Sequence, residues 1–272
     1  MSTKYILALD QGTTSSRAIL FDQDQNIVEM TQREFTQIYP KEGWVEHDPM
    51  EIWSSQYGVM MEVVARSGVD ARDIAAIGIT NQRETTIVWD KETGRPIYNA
   101  IVWQCARGAA ICEEIERAGY APTIKARTGL QLSPYFSAAK LAWIFQNVEG
   151  VKELAEAGEI ACGTIDSWLV YRLTKGKNFQ TDYSNASRTQ LFNIEKLEWD
   201  STCLEVFGIP ARCMPRVTDS DGDYGVTDFE GYLDTPIPIR GVLGDSHGAL
   251  FGQGCLKPGM IKATYGTGSS IM

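Results

Sequence analysis

The chain has 272 residues, 43% of them hydrophobic and 22% charged, an ordinary balance for a globular protein with one large core or two smaller ones. Its net charge of −10 argues against a nucleic-acid-binding surface but leaves room for a local basic pocket. The cysteines at 105, 112, 162, 203, 213 and 255 form no C-x-x-C pair and no metal-ligand spacing. The first apolar run ends at Asp10, too early for a signal core, and no run reaches membrane-spanning length. Reduced thiols, a cytoplasmic setting and no membrane insertion are the expectation.

Tyr5 to Asp10 is a short apolar run closed by an acid. Gln11-Gly12-Thr13-Thr14-Ser15-Ser16-Arg17 follows, and then a second apolar run from Ala18 to Phe21. The pattern predicts strand, tight turn, strand. Such a tip suits phosphate. Gly12 admits backbone angles that turn amides inward, and the hydroxyls of Thr13, Thr14 and Ser15 can donate to phosphate oxygens. Arg17 adds a cation, and Asp10 is placed for a magnesium ion. Taken alone, the same stretch reads equally well as a solvated hairpin.

Asn26 to Phe35 continues as a third strand, and three hairpin-linked strands predict a mixed sheet rather than strand–helix alternation. Asp48-Pro49 starts a helix that runs to about Arg66 and stops at Gly68. Ile74 to Thr80 reads as a central strand. Asn81-Gln82-Arg83-Glu84 interrupts it before strand resumes from Thr85 to Trp89. Four polar residues without glycine, proline or aspartate make a poor turn. They predict a cleft wall with Arg83 and Glu84 facing inward; the rival reading is a solvated corner.

Ala100 to Trp103 is a short strand leading into a helix near Arg107 to Arg117. Ser133-Pro134 predicts a helix start, with Tyr135 in the first turn where it can reach a cleft. Gly163 to Leu173 reads as a buried helix, Asp182 to Thr189 as a polar loop, and residues 219–236 as an exposed connection. Pro238 to Gly244 is a strand ending at Asp245, and Ser246 to Phe251 opens a packed helix. Residues 259–272 again read strand, glycine-hydroxyl turn, strand, repeating the design of residues 5–21. Gly266 and Thr267 would form a second phosphate grip. The repeat stops one strand in, so the chain reads as cut.

There is no G-x-x-x-x-G-K-[ST] loop, which excludes a P-loop enzyme, and Gly266-x-Gly268 lacks the later glycine of a dinucleotide site. Asp245 is the sharpest candidate. A carboxylate at a cleft-facing strand end can take the proton of an attacking hydroxyl during in-line phosphoryl transfer. It is also a good helix cap, and the two roles are compatible. A serine-hydrolase reading of Ser246 and His247 fails, because adjacent residues point apart and no G-x-S-x-G elbow is present.

Five stretches, Ala8–Arg17, Gly43–Pro49, Ile79–Thr86, Ala100–Gln104 and Thr264–Gly268, resemble the FGGY carbohydrate kinases, in particular members that act on glycerol. The resemblance runs the length of the chain. It implies an α/β, actin-like (ribonuclease-H-like) fold: a central mixed five-stranded sheet flanked by helices, in two similar domains about a cleft. Residues 1–251 would be the polyol- and phosphate-binding domain. Residues 252–272 would begin the nucleotide-binding domain, intact relatives being much longer.

The resemblance further implies ATP-dependent phosphorylation of glycerol, with ATP and Mg2+ as cofactors and a homo-oligomeric full-length protein. Arg83, Glu84, Trp103, Tyr135, Asp245 and Ser246 would line the polyol site, with Asp245 as base. Gly12, Thr13, Thr14, Ser15, Arg17, Gly266 and Thr267 would contact phosphates, and Asp10 the magnesium. The chemistry suits these residue types, since Arg83 and Glu84 can chelate vicinal hydroxyls and Trp103 can pack on a carbon backbone.

One position departs from the pattern. Where the family usually has an amide after the aspartate, this chain has Ser246, followed by His247. The shorter donor leaves a gap, so another small polyol or ketose is the alternative substrate. Residues 1–272 alone are expected to be inactive. A non-catalytic nucleotide-sensing module is the alternative of another class, against which the intact Asp10 and Asp245 argue.

Overall fold

The structure, a computed structural model, describes residues 4–265 and 269–272. It opens with an antiparallel meander of β1 (Tyr5–Gln11), β2 (Ser15–Phe21) and β3 (Ile27–Glu34). A short β4 (Glu46–His47) precedes α1 (Pro49–Ser67). Local chemistry sets both ends of α1. The Asp48 side chain accepts from Met50 N–H, Pro49 needs no partner for its missing N–H, and Gly68 ends the helix at φ 67°.

Next come β5 (Ile74–Asn81), β6 (Thr86–Asp90), β7 (Ala100–Ile101), α2 (Ala109–Arg117) and α3 (Ala121–Thr128). They are followed by α4 (Ser137–Asn147), α5 (Val151–Ala157), β8 (Ile160–Thr164) and α6 (Ile165–Leu173). β9 (Gln180–Asp182), α7 (Tyr183–Ala186), β10 (Phe192–Asn193), β11 (Glu198–Trp199) and α8 (Ser201–Phe207) continue the chain. β12 (Arg216–Thr218) and β13 (Val226–Thr227) lead to β14 (Ile237–Gly244) and α9 (Asp245–Gly252). β15 (Ala263–Tyr265) and β16 (Ser269–Ile271) form a last hairpin.

The main sheet has the order β13-β14-β5-β1-β2-β3. β1, β5 and β14 are parallel neighbours, while the meander and the short edge strand β13 are antiparallel. The expected mixed sheet is present, its five long strands extended by two-residue β13. Leu7, Leu9, Ala18 and Leu20 point from β1 and β2 into one core with Ile52, Val59, Met60 and Val63 of α1 and Trp168 of α6. The indole of Trp168 donates to Pro49 O at 3.1 Å, so α1 and α6 cover the same face.

A second sheet, β4-β7-β6-β8, separates this core from another. Strand alternation does the dividing: Ile87 and Trp89 face the first core, whereas Val88 faces the second, with Leu141 and Ile144 of α4.

Four expectations need correction. Tyr135 precedes α4 rather than lying in its first turn; the helix begins at Ser137 because Phe136 is still extended, at φ −82° and ψ 167°. Gly163 and Thr164 belong to β8, where Gly163 pairs with Ile87, so the helix begins two residues later, at Ile165. The polar stretch after Asp182 folds into the single turn of α7, because the Asp182 side chain accepts from the N–H groups of Ser184 and Asn185. The 219–236 connection is not simply exposed: Tyr224 and Phe229 are buried in the first core. Their bulk outweighs the acidic, glycine-bearing residues around them.

Candidate polyol and phosphate site

Three parallel strands end together. Gln11 at the end of β1 pairs with Asn81 of β5, which pairs with Gly244 of β14. The carboxyl ends of parallel strands are where α/β sheets bind ligands. Register alone therefore brings Asp10, Arg83 and Asp245 to one edge. The chain does not turn back after Asn81. It leaves the first sheet and enters the second at β6, so residues 81–84 bridge the two, and Asn81, Gln82, Arg83 and Glu84 are all buried. The solvated-corner reading is ruled out.

A cleft of about 300 Å³ opens at this edge. All six polyol-site candidates line it, with Thr13 and Thr14 of the first hairpin and Thr264, Ser269 and Ser270 of the last. A larger groove of about 670 Å³ lies between the start of α1 and residues 95–99 and contains none of these residues. The convergence of candidates makes the smaller cleft the candidate site.

Arg83 organises it. Its Nε donates to Asp245 Oδ1 at 3.1 Å, its Nη2 donates to Ser246 Oγ at 3.0 Å, and its Nη1 lies 3.5 Å from His247 Nδ1. The side chain can cross here because residue 244 is glycine: a Cβ there would sit 2.5 Å from Arg83 Cδ. Asp245 Oδ1 also accepts from Ser246 N–H at 2.6 Å. The Asp245 side chain keeps 48% exposure and faces the cleft. Burial, then the Arg83 charge, pushes His247 down to about 4, so its ring is neutral near pH 7.

Glu84 sits at φ 64°, in the left-handed region that non-glycine residues seldom occupy. Two contacts hold it: Ser137 Oγ donates to its carbonyl at 3.0 Å, and Arg188 Nε donates to its Oε1 at 2.6 Å. Burial raises its pKa, opposed by Arg83 and Arg188. Trp103 and Tyr135 meet edge to face, their centroids 5.6 Å apart, and the Trp103 indole donates to Thr13 Oγ1 at 3.0 Å.

The phosphate candidates divide. Thr13 and Thr14 line the cleft, whereas Gly12, Ser15 and Arg17 are not among its described lining residues. Gly12 adopts no left-handed backbone; its N–H is used within the turn, donating to Ser15 O at 3.0 Å. Arg17 lies along the sheet, donating twice to Gln32 Oε1 at 3.0 and 2.8 Å and standing 3.4 Å from Asp10 Oδ2. Burial raises the Asp10 pKa, with Arg17 opposing and Asp245 adding to the rise. No group of three or more potential metal ligands forms among the described residues. Gly266 and Thr267 lie outside them.

The sequence reading missed Arg188, Ser137 and Thr264. Arg188 ends a polar stretch, Asp182 to Thr189, that has neither glycine nor proline. The cue that singled out residues 81–84 also required the absence of aspartate, and Asp182 removes it here.

Residues 5–252 match the model of the FGGY family of carbohydrate kinases, N-terminal domain. The chain belongs to the FGGY family of carbohydrate kinases. A glycerol kinase of Fusobacterium nucleatum subsp. nucleatum is 59% identical over 99% of this chain and 54% of that protein. One from Alkaliphilus oremlandii is 60% identical over 99% of this chain and 53% of its own length. The crystal structure of Plasmodium falciparum glycerol kinase with ADP superposes with a TM-score of 0.92 at 37% identity, covering 99% of this chain and 54% of that one. Gluconate kinase from Lactobacillus acidophilus, with a TM-score of 0.89 at 23% identity, shares the fold. The FGGY chain thus has the actin-like α/β fold expected from its sequence. It spans about half the length of the curated relatives it matches. All six cysteines are free thiols, and no described helix is long and apolar enough to cross a membrane.

Proposed function

We propose that the full-length protein containing this chain transfers the γ-phosphoryl group of ATP to a primary hydroxyl of glycerol. The observation that carries this reading is Arg83 lying across the end of β14, bound at once to Asp245 and Ser246. The glycerol kinase relatives at 59% and 60% identity support the choice of substrate.

Arg83 and Glu84 hold two neighbouring hydroxyls. Glu84 uses Oε1 on Arg188, which leaves Oε2 to accept from the substrate. The faces of Trp103 and Tyr135 shelter the carbon chain. Asp245 is the base. Its Oδ1 is occupied by Arg83 and the Ser246 amide, so Oδ2 takes the hydroxyl proton as oxygen bonds to phosphorus and the bond to ADP breaks. Asp10 fits a magnesium ion, because it is a partly buried carboxylate whose one charged partner among the described residues, Arg17 at 3.4 Å, touches only Oδ2. Such an ion would neutralise phosphate charge there. Thr13 and Thr14 donate to phosphate oxygens, and Gly266 and Thr267 would grip from the opposite side. We read the first domain as ending near residue 251, where the second begins.

A different small polyol or ketose is the second reading, favoured by Ser246. Its Oγ is bound by Arg83 and lies 3.4 Å from Ser270 Oγ, and it reaches less far than the amide usual at this position. The test is phosphate transfer by the full-length protein across a panel of polyols and ketoses. Asp245→Asn should lower turnover about 10²–10⁴-fold while polyol binding survives. Turnover close to wild type would remove Asp245 as the base.

A further inference from the structure

Lys140 is fully buried in α4, yet pairs with no carboxylate among the described residues: Glu84, the acid that influences it most, is engaged by Arg188. Its ammonium donates instead to three consecutive backbone carbonyls, those of Pro134 at 2.6 Å, Tyr135 at 2.6 Å and Phe136 at 3.1 Å. All three of its N–H bonds are thereby used. Helix stability does not explain this placement. A cation near a helix N-terminus opposes the macrodipole, and desolvating it is unfavourable. A leucine or methionine would fill the same volume without either penalty.

What the lysine does fix is the backbone of residues 134–136. Tyr135 is the cleft residue that meets Trp103 edge to face, and Phe136 lies under the Arg188 guanidinium, 4.9 Å from ring centroid to Cζ. The residue after Phe136, Ser137, ties down the Glu84 carbonyl in its left-handed conformation through its Oγ. The first turn of α4 therefore grips both a wall and a hydrogen-bonding group of the cleft. We infer that Lys140 and Ser137 are positioning residues that hold Tyr135 and Glu84 in polyol-binding geometry.

The part of this inference that concerns substrate rests on the proposed phosphorylation of glycerol. Burial pushes Lys140 down to about 7; Glu84, Cys105 and Cys112 favour its charged form and Arg107 opposes it. Above that pH it loses a proton and one carbonyl contact, so the grip on Tyr135 loosens. Stability moves the other way. Because the folded value lies below 10.5, the unfolded chain binds more protons between about pH 7 and 10.5, and this group adds stability as pH rises through that window. A merely structural lysine would not give opposite signs for stability and for substrate affinity.

The experiment compares wild type, Lys140→Met and Ser137→Ala in the full-length protein, measuring glycerol KM, kcat and hydrogen exchange of residues 133–137 against pH. Lys140→Met should raise KM about tenfold with a smaller change in kcat, speed exchange locally, and abolish the rise in KM expected of wild type above pH 7. Ser137→Ala should raise KM with less effect on exchange. Unchanged KM with unchanged local exchange overturns the inference, and so does faster exchange across the whole molecule with unchanged KM. If Lys140→Met does not fold, wild-type exchange at residues 133–137 across pH 7, corrected for intrinsic rates, decides the question. If wild type does not phosphorylate glycerol, the functional reading fails while the exchange measurements still decide the positioning role.

Discussion

The chain carries two hairpins of one design, and they differ in what lies behind them. In β1–β2, Leu7, Leu9, Ala18 and Leu20 are wholly buried against α1, and Ser16 is buried as well, bonded to Gln11 and Ser55. In β15–β16 the same strand–turn–strand pattern stands largely exposed: Tyr265 is 80% and Ile271 70% accessible. Of this hairpin and its lead-in, Lys262 is buried, donating to Thr264 Oγ1 at 2.8 Å. Local sequence forms a hairpin in both cases. Packing makes one of them a rigid wall, and a preorganised binding group has to stand on a rigid wall.

The sharpest way to break this comparison is to remove a methyl cluster from each hairpin. Leu9→Ala should destabilise the fold by about 2–5 kcal/mol, and Ile271→Ala by no more than about 0.5 kcal/mol. Denaturant unfolding of the 272-residue chain reads both. Equal losses would mean that the last hairpin is packed as firmly as the first.

A smaller effect separates the two ends of α9. Gly244→Ala places a Cβ 2.5 Å from Arg83 Cδ, whereas a Cβ at Gly252 meets nothing within 4 Å. Gly244→Ala should dislodge Arg83 and raise the KM of the full-length enzyme by about tenfold, the scale of losing a charged hydrogen bond. Gly252→Ala should leave KM alone. Matching values for the two variants would show that Arg83 need not cross the strand end.

The smallest expected effect lies between the backed and unbacked walls, where Ser246 faces Ser270 across 3.4 Å. Ser246→Gln should lower KM for glycerol about two- to tenfold and raise it for four- or five-carbon substrates. If His247→Ala alters this preference and Ser246→Gln does not, the neutral imidazole beside Arg83 sets specificity instead.

The sequence was most legible where chemistry is local. Asp48, Pro49 and Gly68 mark α1, because a cap, a missing donor and a left-handed terminus each act within a few residues. The polar run at residues 81–84 flagged a cleft wall for a similar reason, since no turn chemistry explains it. Tyr135 was placed in a helix it only precedes. The reason is Lys140, five residues on, whose ammonium gathers the carbonyls of the preceding segment, a contact no capping rule anticipates. Gly12 was expected to turn its amide toward phosphate, yet that amide closes its own turn.

By itself the sequence determined the five long strands of the main sheet, the first helix, the family and most of the residues of the cleft, because apolar period, turn chemistry and motif spacing are all written along the chain. Tertiary structure alone decided that residues 81–84 join two sheets, that Gly244 clears a path for Arg83, that Arg188 neutralises Glu84, and that Arg17 lies along the sheet rather than over the turn. Each of these depends on strand register and on groups far apart in sequence meeting at hydrogen-bond distance. Neither residue type nor spacing encodes a meeting of that kind until the sheet has formed.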